Sequence, residues 1–245
     1  DESRPVLTGV LADVSEGKLT LAAADGYRLS VRSADLEEAE GDTMASGKAD
    51  SSGPALDRAI SVIIPARALQ ELRRIAAEQD QPIEVLVASN RNQVFFHMRD
   101  VDLVSQLVEG SFPDYRQIIP TSHTTRTVGN TDDFLKAVRM AFIFARDAAN
   151  IVRLQIIPGA DGGTGRLVVT ASSAEYGDNV SELDATVEGA PIEIAFNARY
   201  LIDALGAVDT SDVALETRDS SSPGVIRPVN GGSFVHVIMP MYMAR

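Results

Sequence analysis

Two stretches set 132 residues apart are built the same way. VIIPARALQELRRI, from Val62, and EIAFNARYLIDALGAV, from Glu193, each run a few strand-type apolar residues into Ala-Arg-x-Leu and an amphipathic helical pattern. Ala66-Arg67 thus matches Ala198-Arg199. Upstream, Gly17-Lys18-Leu19 matches Gly165-Arg166-Leu167 at an offset of 148. The two offsets differ by 16, and an insertion of about that size in the first copy reconciles them. A 245-residue chain with this self-similarity reads as two diverged copies of one unit, joined near IIPTSHTTRT.

The insertion is visible. Leu36 to Leu56 (EEAEGDTMASGKADSSGPA between them) has no periodic apolar pattern and reads as a long, solvated, mobile loop. Asp35, Glu37, Glu38, Glu40, Asp42, Asp50 and Asp57 oppose only Lys48 there, so nearly half of the net charge of −13 sits in one stretch. The overall charge is therefore a poor guide to the remaining surface.

Short strands are expected at Val6–Leu11, Leu19–Ala23 and Arg28–Val31, then at 83–88, 94–99 and 102–108. A helix is expected to begin at Pro65, where a missing N–H costs nothing. The second copy opens on NTDDFLKAVRMAFIFARDA. Here Thr131 is the expected N-cap, Asp132 and Asp133 favour the positive helix end, and Leu135, Val138, Phe142 and Ala145 form the expected core face. The first copy shows no such helix, and its opening helix is read as missing. The pattern of both copies is α+β.

Lys136, Arg139 and Arg146 recur at i, i+3 and i+10 of that helix, which returns them to nearly one face. Arg67, Arg73 and Arg74 lie on the first copy's helix, and Arg199 repeats the position of Arg67. These seven cations are either a solvated face or a wall facing phosphates. No zinc finger, helix-turn-helix signal or aromatic platform is present, so any DNA contact is to backbone and indifferent to sequence.

No catalytic constellation emerges. His97, His123 and His236 are scattered, and His97 and His236 fall in strand patterns. GADGGTG, Gly159 to Gly165, lacks the Lys-Ser/Thr of a phosphate loop and reads as a hairpin turn. Asp100 and Asp102 read as a turn. With no Cys, thiolate chemistry and Cys-dependent zinc are excluded. No cofactor or metal is expected.

Four motifs, AADGYRL (Ala23–Leu29), LVEGSFPDYRQIIP (Leu107–Pro120), FNARYL (Phe196–Leu201) and VIMPM (Val237–Met241), occur in this order. Together they resemble the bacterial sliding clamp family, the beta subunit of DNA polymerase III, from Arg4 to Met241. The resemblance implies the DNA clamp fold with two of three tandem domains, at 1–121 and 122–245. It further implies a cytoplasmic, non-catalytic processivity factor whose complete form is a homodimeric ring on duplex DNA, with sheets outside and helices lining the channel. This chain is then expected to be monomeric. The implied partners are the replicative polymerase, the clamp loader and other proteins that carry a short peptide with a Gln and apolar residues. The alternative is a two-domain interaction module that never encircles DNA.

By the same resemblance a groove for that peptide is built from Arg4, Leu7, Ala24, Gly26, Tyr27, Arg28, Leu29, Pro113, Gln117 and Ile118 on one side. Asn197, Tyr200, Ser221, Pro223, Val237, Met239, Pro240 and Met241 supply the other. Asn197 and Tyr200 are its expected polar handles, and its methionines suit varied partners. Tyr27 stands where His is common in the family and Gln117 where a cation is frequent. Tyr242, beyond the usual stop, is a candidate to cover part of the pocket.

Overall fold

The structure is a computed structural model that describes residues 4–36, 59–88, 92–160 and 163–242. The acidic stretch predicted as a loop lies, beyond Leu36, outside the described residues. The chain forms two compact units, residues 1–25 with 31–113, and residues 26–30 with 114–245.

In the first unit β1 (Gly9–Ser15) pairs antiparallel with β2 (Lys18–Ala24) and with β4 (Ile60–Pro65). With β3 (Arg28–Asp35) the strand order is β3-β2-β1-β4. Helix α1 (Ala66–Ala76) follows β4 directly, with Pro65 as its N-cap. A three-stranded antiparallel sheet, β5-β6-β7, is made by β5 (Glu84–Val87), β6 (Gln93–His97) and β7 (Asp102–Gln106). Ala12, Val62, Ile64, Ala68, Val94 and Phe96 form the core.

One expected strand is displaced. Pro5–Thr8 is a single 3-10 turn, and extended chain begins only at Gly9. Proline's fixed φ suits a helical first position. A side chain at Gly9 would stand 2.5 Å from Ile63 Cγ2, so β1 starts where β4 needs a bare backbone. Asp100 lies in the tight β6–β7 connection, closed by the Met98 N–H on the Val101 carbonyl. Across that hairpin His97 Nδ1 meets Asp102 Oδ1 at 2.5 Å, which raises the imidazole pKa above its ordinary value. The pair therefore adds stability below that ordinary value and loses it as pH rises through the raised one.

The second unit contains β8 (Thr125–Asn130), α2 (Thr131–Ala145), β9 (Ile151–Ile157), β10 (Gly165–Ser173), β11 (Gly177–Gly189), β12 (Ile192–Asn197) and α3 (Ala198–Leu205). It ends with β13 (Asp212–Thr217), β14 (Gly224–Pro228) and β15 (Val235–Ile238). The strand order is β12-β9-β10-β11-β8-β13-β14-β15. Its β12-β9-β10-β11 half repeats the β4-β1-β2-β3 order of the first unit. In each, a six-residue strand turns into a helix that begins Ala-Arg. β9 and β10, which flank GADGGTG, pair antiparallel; Asp161 and Gly162 of the expected turn lie outside the described residues.

Period-two alternation sets the sheet's inner face: Val152, Leu154 and Ile156 of β9 are fully buried while Arg153 and Gln155 are exposed. Helix α2 packs on β9, β10, β11 and α3. Its cap is Asn130, whose side chain accepts the Asp133 N–H at 3.1 Å. Thr131, the residue expected to cap, is the first helical residue, and its hydroxyl donates to the Thr210 carbonyl. The buried face centres on Phe134, Ala137, Val138, Ala141 and Ala145, so it is rotated from the expected one. Leu135 and Phe142 pack only at its margin. Apolar residues on almost every side of α2 blur the period, and the small residues Ala137 and Ala141 decide which side approaches the sheet. At Gly224 any Cβ would stand 2.6 Å from Phe196 Cζ, so β14 lies directly against the core aromatic.

Phe134→Ala is expected to lower unfolding free energy by about 3–5 kcal/mol, whereas Ile143→Ala on the exposed side of α2 should change it by less than about 0.5 kcal/mol. Urea titration followed by circular dichroism reads both.

Candidate functional site

The chain end is held by its backbone. After β15, Pro240 has no N–H, so Met239 and Met241 carry the only donors of Met-Pro-Met. The Met239 N–H donates to the Tyr27 carbonyl and the Met241 N–H to the Ala195 carbonyl, both at 2.8 Å. Ala195 lies in β12, the end strand of this unit's sheet order, so Met241 covers part of an otherwise open edge. These bonds satisfy the two backbone donors. Met239 is 41% exposed, and Pro240 and Met241 are half-buried.

Around this clasp stands a polar–aromatic cluster. Arg28 Nη1 donates to Asp203 Oδ2 at 2.6 Å, and its guanidinium carbon lies 4.2 Å from the Tyr200 ring centre. Asp203 thus fixes the cation over the aromatic face, a geometry that combines charge pairing with ring attraction. Tyr27 is 63% exposed beside the Met239 amide it anchors. The two segments that meet here, 27–28 and 200–203, are more than 170 residues apart in sequence.

The other residues of the predicted groove take several positions. Leu29 and Val237 are 2% and 1% exposed, so they support the surface from below and offer it no side chain. Asn197 is the N-cap of α3: its side-chain oxygen accepts the Arg199 N–H at 2.9 Å, which commits half of that expected handle to the helix. Ser221 donates its hydroxyl to Asp219 at 2.7 Å. The Ser222 hydroxyl, the Ser221 hydroxyl and N–H, and Arg218 hold the Asp219 carboxyl well below its usual range. Pro223 is half-buried and Gly26 exposed. Gln117 donates to Asp114 across the turn Tyr115–Gln117, and Ile118 beside it is 44% exposed. Arg4, Leu7, Ala24 and Pro113 belong to the first unit, where the Leu7 N–H donates to the Arg4 carbonyl. Tyr242 is 88% exposed, so it covers nothing.

The helix cations differ in how far they are neutralised. Arg74 makes a forked hydrogen bond to Glu71 one turn back; this raises the guanidinium pKa and lowers that of the carboxyl. Lys136 stands 3.3 Å from Asp133, and Arg146 is 4.0 Å from Asp147. Arg199 lies over Phe142, 5.4 Å from its centre. Arg67, Arg73 and Arg139 are exposed and have no ion-pair partner among the described residues. Among the described residues no cluster of three metal-type ligands occurs, and no helix is long and apolar enough to cross a membrane. His236 is buried against the Ser30 hydroxyl at 2.8 Å.

Two known families match the chain in tandem. The DNA polymerase III beta subunit central domain matches residues 1–114, and the C-terminal domain of the same subunit matches residues 116–242. The chain belongs to the DNA polymerase III beta subunit family. It is 31% identical over 242 residues to the beta sliding clamp of Staphylococcus epidermidis, covering 98% of this chain and 58% of that protein. It is 32% identical over 241 residues to that of Staphylococcus aureus, with coverage of 98% and 58%. The crystal structure of the Bacillus subtilis DNA polymerase sliding clamp matches with a TM-score of 0.85 at 28% identity, over 100% of this chain and 59% of that one. The Pseudomonas aeruginosa sliding clamp solved with ligand matches with a TM-score of 0.82 at 27% identity, over 98% and 59%. The chain therefore has the clamp fold and spans 58% of the length of these curated relatives.

For the Arg28–Asp203 pair in this clamp-family chain, side chains 28% and 60% exposed set a modest strength. A double-mutant cycle with Arg28→Met and Asp203→Asn, read by thermal unfolding, should give a coupling of about 0.2–1 kcal/mol.

Proposed function

We propose that this chain is the peptide-binding part of a processivity clamp, a non-catalytic cytoplasmic protein that encircles duplex DNA as a homodimeric ring when whole and tethers the replicative polymerase. The Met-Pro-Met clasp beside Tyr27 and the Arg28–Tyr200–Asp203 cluster carries this reading. The clasp presents two soft methionines, Met239 exposed and Met241 half-buried, on a backbone that is already paired, so a partner meets side chains that adapt to it while the strand itself stays in place. Tyr200 and Arg28 are of the residue types that dominate binding energy at protein interfaces. Clamp loader and polymerase peptides with a Gln and a few apolar residues are the assigned ligands, and tethering acts by raising local concentration at the primer end.

The remaining groove residues named from the resemblance, Arg4, Leu7, Ala24 and Pro113 included, are assigned to the same peptide. Arg67, Arg73, Arg74, Lys136, Arg139, Arg146 and Arg199 are assigned to the DNA-facing surface. Of these, Arg139, Arg67 and Arg73 contribute most, because Arg74 and Lys136 are already paired within their own helices. Contacts of this kind follow phosphates and carry no sequence information.

A fluorescein-labelled clamp-binding peptide should bind saturably in fluorescence anisotropy. Met241→Ala combined with Tyr200→Ala should weaken it by at least about tenfold, the loss of roughly 1.4 kcal/mol or more. A flat wild-type titration would favour an interaction module of another kind.

A further inference from the structure

All the oxidisable sulfur of this chain is methionine sulfur. The sequence has no cysteine and six methionines: Met44, Met98, Met140, Met239, Met241 and Met243. With no thiol to react first, a peroxide meets only thioethers here, and exposure decides which of them it reaches. Met98 is 2% exposed, Met140 50% and Met239 41%, and Met241 is half-buried. Met44 and Met243 lie outside the described residues. Two described methionines are therefore open to a small oxidant, one on α2 and one at the clasp.

The backbone at Met239 is held so that a change at its sulfur stays local. Its N–H donates to the Tyr27 carbonyl at 2.8 Å, and Val237 and Ile238 just before it are 1% and 0% exposed. None of these contacts uses the thioether. Hydrogen peroxide oxidises the sulfur by two electrons: the O–O bond breaks, an S–O bond forms, and the rest of the peroxide leaves as water. The product is methionine sulfoxide, a polar, chiral group that accepts hydrogen bonds and donates none. An apolar partner side chain that covers the thioether would then have to strip water from the sulfoxide oxygen and offer it nothing in return. The fold is spared while apolar contact is penalised. At the buried Met98 the same oxygen would enter the core, so modification and unfolding would go together there.

We propose that Met239 is a modification site at which oxidants of the peroxide class form methionine sulfoxide and so weaken the binding of apolar peptides at the clasp. The modification follows from the exposure of Met239, whereas its effect on binding rests on the function proposed above. Reversal is chemically open: two thiols reduce the sulfoxide to the thioether, giving a disulfide and water, the reaction that methionine sulfoxide reductases carry out on each epimer.

Hydrogen peroxide treatment of the full chain, followed by peptide mass mapping and by anisotropy titration of the fluorescein-labelled clamp-binding peptide, tests this. Met239 and Met140 should each gain one oxygen at least about tenfold faster than Met98, with circular dichroism unchanged. Peptide affinity should fall by at least about fivefold as Met239 converts, and treatment with the reductases for both epimers should restore it. Met140→Leu should lose affinity on oxidation as the wild type does. Met239→Leu, measured against its own untreated affinity, should change by less than about twofold on oxidation. Slow oxidation of Met239 beside fast oxidation of Met140, full conversion with affinity unchanged, or a loss that persists in Met239→Leu would overturn the proposal. A chain that binds no peptide before treatment would contradict the proposed function and overturn the effect on binding with it, while the oxygen map still decides whether Met239 is the modified residue.

Discussion

Two backbone hydrogen bonds govern what the end of this chain can do. By donating to Tyr27 and Ala195, the Met239 and Met241 amides fix the main chain on both sides of a proline that cannot donate. Loose apolar residues at a chain end collapse or fray, since ordering them costs about 1–2 kcal/mol per residue. Held this way, the segment has already lost that freedom before any partner arrives. The buried Val237 and Ile238 just upstream anchor it in the core, and the exposed Met239 just after them is free to change rotamer. In the proposed binding role, the rigid backbone lowers the cost of binding and the soft side chains widen the range of partners.

Charge follows the same division. The acids dominate the totals, yet the described helices carry outward cations, and the β8–β13–β14 face gathers two guanidinium groups, of Arg126 and Arg227, about the Glu216 carboxylate. Pairing decides what each cation has left to offer. Arg74 and Lys136 are screened by acids one turn away, Arg28 is pinned by Asp203, and Arg139 has no such partner among the described residues. A surface pair of this kind is worth little to stability, so its effect is to set direction and availability of charge.

The repeat was legible because a strand running into Ala-Arg-x-Leu is a local signal, and the β4–α1 and β12–α3 units carry it intact. Helix α2 was legible in place but not in rotation. Asn130 and Thr131 are both capping residues, and only the Thr210 carbonyl waiting for the Thr131 hydroxyl separates their roles. The β1 start was misread because Val6 and Leu7 look strand-like, while Pro5 and the close approach at Gly9 act through geometry that a hydrophobic pattern does not record. At the candidate site, four motifs named most of the residues. They did not distinguish a core residue such as Val237 from an exposed one such as Met239, since both occupy one motif two positions apart. Asp203 and Glu216 escaped notice because their meaning lies in long-range partners: Arg28, 175 residues away, for one, and neighbouring strands for the other.

In the proposed function Met239 and Met241 are the adaptable contact surface. Methyl-carbon-13 NMR of labelled methionines during titration with a Gln-plus-apolar clamp-binding peptide tests it most directly. The Met239 and Met241 methyls should shift and saturate together, while the buried Met98 and the α2 surface residue Met140 stay in place. Saturable binding with the Met239 and Met241 signals unmoved would contradict it.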